Sequence, residues 1–161
     1  DSTDAQEQEF WVAYNGGDWW PELPESEQRR FRKAFREMPL ALEVETASGR
    51  VGIVHADVPP DLTWEAFCVL LRQGVEEAVM YALFSRHRVH GEVPMGPVAG
   101  GVERVYCGHT PVRQTVTAGN VHFIDTAAVY IQEDYEDARL TAVEIHPEAH
   151  REHCIHTDRP V

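Results

Sequence analysis

The spacing of apolar residues along the chain predicts a mixture of helices and strands. Apolar side chains recur every three or four residues in three segments, which predicts helices over residues 5–14, 26–38 and 63–83. Apolar runs or apolar–polar alternation predict six strands, at residues 40–46, 51–54, 102–107, 112–117, 121–124 and 140–145. Helices and strands mixed in this way are typical of a layered α/β fold.

Three segments are predicted to connect or follow these elements. Ser48 and Gly49 separate the first two strands, which predicts a β-hairpin. Residues 84–101 contain prolines and glycines and fit neither pattern; a connection of more than about 15 residues is often functional. The polar, histidine-rich residues 148–161 are expected to form a tail.

Charge and cysteine content exclude several classes of function. The chain has 161 residues, and 27 Asp and Glu against 14 Lys and Arg give a formal net charge of −13. We expect no nucleic-acid partner, because such a surface repels phosphates. We expect no membrane partner, because no run approaches the about 18 apolar residues of a spanning helix. The odd number of cysteines and the absence of a signal-peptide pattern favour a reducing cytoplasm.

Three chemistry-bearing residues directly follow predicted strands. His55 comes after the strand at 51–54, His109 comes shortly after the strand ending at Cys107, and Asp125 follows Ile124. In α/β sheets, ligands collect beyond the carboxyl ends of strands, so these side chains are candidates for one site. The structural alternatives are a hydrogen-bonded histidine for each imidazole and a turn residue for Asp125.

Five motifs in a fixed order carry a resemblance to a known family. They are Trp11–Trp19, Val54–Asp57, Phe84–Arg88, Gly108–Pro111 and Gly119–Thr126, followed by Leu140 and Thr141. With these motifs in this order, the chain resembles the C-terminal half of a phosphoprotein phosphatase of the bacterial and bacteriophage lambda type, which belongs to the calcineurin-like metallophosphoesterase superfamily. The resemblance implies an α/β/β/α sandwich with mixed sheets.

The resemblance also implies a two-metal hydrolase of phosphate monoesters, acting on a phosphorylated protein or a small phosphoester. It implies two divalent ions, manganese with iron or zinc as alternatives, which activate a water for attack on phosphorus. By motif, His55 and His109 are metal ligands, and Arg86 binds the phosphate oxygens. Asp125 is expected outside the ring of ligands, where it orients His109 or a nearby loop. The alternative for Arg86 is a surface arginine.

The chain also departs from the family pattern. The family strings D-x-H-G, G-D-x-x-D-R-G and G-N-H-E do not occur, so residues 1–147 are expected to be the C-terminal portion of the domain, without its N-terminal strands. Ala127 stands where the family has glycine, which predicts a different local backbone. Two other functions stay open: symmetrical hydrolysis of diadenosine tetraphosphate, and a catalytically incomplete remnant that binds phosphate or a partner.

Overall fold

The computed structural model describes residues 5–14, 16–130, 137–145 and 151–155. The chain divides into two compact units between Pro39 and Leu40. The predicted fold class is confirmed: the protein is α/β with a mixed five-stranded sheet, which is compatible with a metallophosphoesterase-type sandwich. None of the helices among the described residues has both the length and the apolar character needed to cross a membrane.

The first unit contains two helices that the sequence predicts. Helix α1 spans Ala5–Tyr14 and helix α2 spans Glu25–Glu37. Acidic residues lie in the first turn of α2 and Arg36 in its last turn, as the helix dipole favours. Aromatic rings pack edge to face with centroids 5.3 to 6.3 Å apart; they belong to Trp11, Trp19, Trp20 and Phe31.

The second unit is built on a sheet with strand order β1-β2-β3-β5-β4. The strands are β1 (Ala41–Thr46), β2 (Gly49–Val54), β3 (Val102–Cys107), β4 (Val116–Ala118) and β5 (Val121–Phe123). Strands β1 and β2 form the predicted antiparallel hairpin, whereas β2, β3 and β5 run parallel. The carboxyl ends of those three strands therefore meet at one edge of the sheet.

The single helix predicted over residues 63–83 is wrong. Two helices occupy the segment, α3 (Trp64–Arg72) and α4 (Glu76–Phe84). Gly74 separates them with a φ of 67°, a left-handed conformation that only glycine adopts without strain. Its N–H donates to the Leu71 carbonyl at 3.0 Å and the Val75 N–H donates to the Leu70 carbonyl at 3.1 Å, which closes a Schellman motif.

The apolar core lies in the second unit. Side chains from α3 and α4 and from the sheet strands form one buried cluster that includes Trp64, Phe67, Ala82, Val105 and Phe123. Burial of apolar surface of this kind is the main favourable contribution to folding. In contrast, α2 has no buried residue.

Two segments at the carboxyl side of the chain differ in part from the sequence-based expectation. The strand predicted at 112–117 is confined to β4, because residues 112–115 form a loop in which Val112 donates its N–H to the Asp125 carbonyl. Strand β6 (Leu140–Glu144) pairs antiparallel with β7 (Arg151–Ile155), so part of the expected tail is a strand. The predicted boundary at residue 147 lies outside the described residues.

Candidate functional site

His55 is the residue that directly follows β2, and its side chain is exposed. Its backbone carbonyl accepts a hydrogen bond from the Gly108 N–H at 2.8 Å, which ties the end of β2 to the end of β3. The next residue, Ala56, donates its N–H to the carbonyl of Ala82 in α4 at 2.8 Å. The position of His55 is thus fixed by the backbone on both sides.

His109 lies in a tight turn just beyond β3. Its φ is 67°, and the Thr110 N–H donates to the Gly108 carbonyl at 2.7 Å across the turn. Non-glycine residues seldom adopt such a φ, and strained backbone of this kind clusters at functional sites. The turn directs the imidazole of His109 toward His55.

The two imidazoles meet. Nε2 of His55 lies 3.0 Å from Nδ1 of His109, and the ring centroids are 4.9 Å apart. Burial lowers the pKa of His109, and the charges of Arg86 and His55 lower it further, so its imidazole is neutral near pH 7. The two nitrogens are within hydrogen-bonding distance, so the structural alternative of hydrogen-bonded histidines is present. Two nitrogens that bind one ion at about 2.1 Å also lie about 3.0 to 3.4 Å apart, so the same spacing is compatible with two ligands of one metal.

Arg86 lies in the connection that follows α4. Its side chain is exposed, and its charge acts on His109. Phe84, at the end of α4, places its ring edge-on to His109 with the ring centroids 6.1 Å apart. A hydrogen bond between the Phe84 backbone and the imidazole acts to raise the pKa of His109. The structure therefore places His55 against His109 and brings the charge of Arg86 near His109, and the roles of the three residues stay predictions.

Asp125 has a structural role in the loop after β5. Its Oδ1 accepts the Ala127 N–H at 3.0 Å, the pattern of an Asx turn, and its carbonyl accepts the Val112 N–H. Its negative charge also raises the pKa of His109, although burial outweighs that effect. Both the predicted turn and the proximity to His109 are present. An orienting role toward His109 stays a prediction.

Ala127, which stands where the family pattern has glycine, has a positive φ. Its φ is 66° and it is buried, so alanine at this position does not exclude the left-handed conformation. The bonds of Ala127 N–H to Asp125 and of Arg139 N–H to the Thr126 carbonyl at 2.9 Å hold the loop in this form. Tertiary hydrogen bonds thus offset the local strain.

Sequence reasoning missed a buried ion pair beside the site. Nε of Arg88 donates to Oδ1 of Asp57 at 3.0 Å, and both side chains are 1% exposed. Burial raises the pKa of Asp57, while the Arg88 charge opposes that rise. Both residues belong to the motifs quoted above, two positions after His55 and Arg86 respectively. Nothing in the local pattern identifies them as partners, because 31 positions separate them.

The residues present fit a shared metal ion. Neutral imidazole nitrogen is a preferred donor for manganese, iron and zinc, and two such nitrogens converge here. Within the described ranges, no group of three or more His, Cys, Asp or Glu side chains is placed to bind a metal. This part of the chain therefore offers an imidazole pair as a partial ligand set.

Comparison with known proteins finds two curated relatives of this chain. An alignment over 133 positions, which covers 81% of this chain, is 30% identical to serine/threonine-protein phosphatase 1 of Salmonella typhimurium. An alignment that covers 80% of the chain is 29% identical to serine/threonine-protein phosphatase 2 of that organism. The chain is a homologue of bacterial serine/threonine-protein phosphatases. It spans about half, 56%, of the length of these two relatives. No family model matches the chain.

Proposed function

We propose that the protein containing this chain is a metal-dependent phosphatase that hydrolyses phosphate monoesters, with proteins phosphorylated on serine or threonine as its substrates. The observation that carries the proposal is the pair of imidazole nitrogens of His55 and His109, 3.0 Å apart at the carboxyl edge of the parallel strands. The names of the two Salmonella relatives support the choice of substrate.

Each residue of the site has a distinct task in this proposal. His55 and His109 hold one of two divalent ions, with manganese proposed and iron or zinc as alternatives. When bound, such ions lower the pKa of a water, supply it as nucleophile and neutralise charge on the phosphate. Arg86 presents a planar guanidinium that donates two parallel hydrogen bonds to phosphate oxygens. The tight turn at residues 108–110 keeps the His109 imidazole in one orientation.

The negative charge of the chain makes bound metal ions important for substrate binding. The chain carries a net charge of −13, which repels an anionic phosphoester at long range. Bound divalent ions together with Arg86 reverse the sign of the local field, so the site admits phosphate while the rest of the surface stays acidic. The protein is therefore expected to need its metal for substrate binding as well as for chemistry.

The proposal is tested with the full-length protein, stripped by chelation and titrated with MnCl₂. We measure phosphate released from a phosphothreonine peptide and from p-nitrophenyl phosphate, and nucleotide formed from diadenosine tetraphosphate. We expect metal-dependent hydrolysis of both monoesters, and a fall in kcat of about 100-fold or more in His55→Ala and in His109→Ala. The affinity for Mn²⁺, followed by calorimetry, falls in the same variants.

His122→Ala is the matched control, since His122 lies within the sheet, where it stacks on Tyr106 and lies 3.1 Å from the Thr117 hydroxyl. We expect its activity and its Mn²⁺ affinity to stay within about twofold of the wild type. Full activity in His109→Ala overturns the shared-metal assignment. Faster cleavage of diadenosine tetraphosphate than of the phosphopeptide supports the dinucleotide hydrolase instead, and phosphate binding without hydrolysis supports a binding remnant.

A further inference from the structure

The guanidinium of Arg88 is the most extensively bonded charged group beside the site. Besides Asp57, it donates to the carbonyls of Val58 at 3.0 Å, Gly96 at 3.1 Å and Pro94 at 3.2 Å. The side chain is almost wholly buried. A single residue therefore joins the chain after β2 to the far end of the connection between α4 and β3.

The connection between α4 and β3 has no regular ladder of backbone hydrogen bonds to fix its shape. Residues 85–101 form neither helix nor strand. Short turn bonds, such as His90 N–H to the Arg86 carbonyl at 3.1 Å, shape it locally. Asn120 fixes its end by donating to the Val98 carbonyl at 3.0 Å and accepting the Val98 N–H at 2.8 Å. The middle of the connection is attached to the protein body through the hydrogen bonds of Arg88 and through Val89, which packs against the apolar core.

Stability alone is a poor reason for this ion pair. Desolvation of two buried charges offsets most of their attraction, and an apolar pair of similar volume is often equally stabilising. Here the second carboxylate oxygen of Asp57, Oδ2, is buried and has no hydrogen-bond partner among the residues that the structure describes. What a guanidinium adds over an apolar group is direction, because its donors lie in one rigid plane.

We propose that the buried Asp57–Arg88 pair is a positioning device, which holds the connection so that Arg86 faces the imidazoles of His55 and His109. Each half of the pair lies two residues from a residue of the site, so one bond couples the end of β2 to the position of Arg86. This inference rests on the proposed function. Asp57 and Arg88 act through Arg86 and touch no substrate.

Positioning matters for Arg86 because its task depends on geometry. A guanidinium that donates two bonds to a phosphate must be placed within a fraction of an ångström, and a misplacement of about 1 Å can reduce a rate by about 100-fold. The Arg86 side chain is exposed, so it lacks the packing that would fix it directly. The constraint has to come from the backbone on which Arg86 stands.

The test is a double-mutant cycle in the full-length protein with Arg86→Ala, Arg88→Met and both together. We expect Arg88→Met to lower kcat/KM on p-nitrophenyl phosphate by about 10- to 100-fold and to raise the inhibition constant of inorganic phosphate. The Mn²⁺ affinity is expected to stay within about twofold. The double variant should be no worse than Arg86→Ala, because a positioning residue has no effect once the residue it positions is gone.

Arg50→Met is the matched control, since Arg50 is also ion-paired, with Glu43 and Glu65, on the side of β2 away from its carboxyl end. Its effect on kcat/KM should be small and should add to that of Arg86→Ala. Additive effects of Arg88→Met and Arg86→Ala overturn the positioning role. So does a loss of Mn²⁺ affinity in Arg88→Met that equals its loss of activity.

Arg88→Lys covers the case in which Arg88→Met does not fold. Arg88→Lys retains the charge opposite Asp57 and loses the guanidinium donors that reach the carbonyls of Pro94 and Gly96. It should therefore show the same non-additivity with Arg86→Ala and a smaller loss of kcat/KM. A wild-type protein that neither hydrolyses the monoester nor binds phosphate contradicts the proposed function itself. A wild-type protein that does both, with additive variants, contradicts only the positioning role.

Discussion

Among the residues of the site, His109 has the least ordinary backbone conformation. A φ of 67° costs an L-residue about 1 to 2 kcal/mol, and the Thr110-to-Gly108 bond holds it there. The local chain therefore accepts strain at one residue in order to direct an imidazole.

This strain predicts that glycine is more stabilising than alanine at residue 109, the reverse of the usual order. His109→Gly should be more stable than His109→Ala by about 1 kcal/mol, because glycine adopts the left-handed conformation freely. At His55, whose φ is not in that region, His55→Ala should be at least as stable as His55→Gly. Urea unfolding of the four variants measures both differences. A more stable alanine at residue 109 contradicts the strain.

At the scale of elements, the close approach of α3 to β2 sets how the helices cover the sheet. Gly52 in β2 lies under the buried Trp64, and a Cβ on Gly52 would lie 2.6 Å from the Trp64 ring. The indole N–H of Trp64 donates to Glu43 of β1 at 2.8 Å, so the ring bridges from helix to hairpin. The absence of a side chain at Gly52 thus sets the distance between α3 and β2, the strand that leads to His55.

Gly52→Ala should destabilise the protein by about 1 to 3 kcal/mol, because the added methyl forces Trp64 out of its place. Gly96→Ala is the matched control: within the described ranges, a Cβ on Gly96 would have no heavy atom within 4 Å, and the φ of Gly96 is not left-handed. Its unfolding free energy should change by less than about 0.5 kcal/mol. Thermal unfolding of both variants checks the pair, and equal effects contradict the close contact.

At the scale of the whole molecule, burial is distributed unevenly between the two units. The buried cluster draws on residues between Val54 and Phe123, all in the second unit. Helix α2 has no buried residue, and large apolar side chains in the first unit stay exposed, among them Tyr14 at 75% and Phe35 at 51%. The second unit is therefore expected to have the higher local stability.

Amide hydrogen exchange of this chain should show the difference directly. Amides in β2 and β3, which lie inside the five-stranded sheet, should exchange at least about 100-fold more slowly than those of α2, because opening them disrupts the core. Exchange followed by mass spectrometry at neutral pH resolves these segments. Equal protection of residues 25–37 and 102–107 would contradict the assignment of the core to the second unit.

Long, strongly patterned elements are predictable from the sequence, and their interruptions are not. The hairpin of β1 and β2 follows from its alternation and its Gly49 turn. The break at Gly74 was missed because the apolar stripe continues across it, and β7 was missed because a polar strand gives no hydrophobic signal. Both features depend on backbone hydrogen bonds rather than on side-chain pattern.

The sequence by itself determined the local elements and brought His55 and His109 forward as candidates, because periodicity and strand ends are local properties. Only the tertiary structure decided that these two imidazoles, 54 positions apart, lie 3.0 Å from each other, and that Asp57 pairs with Arg88. The physical reason is that parallel strand order and buried contacts arise from packing between distant segments, which no local pattern encodes.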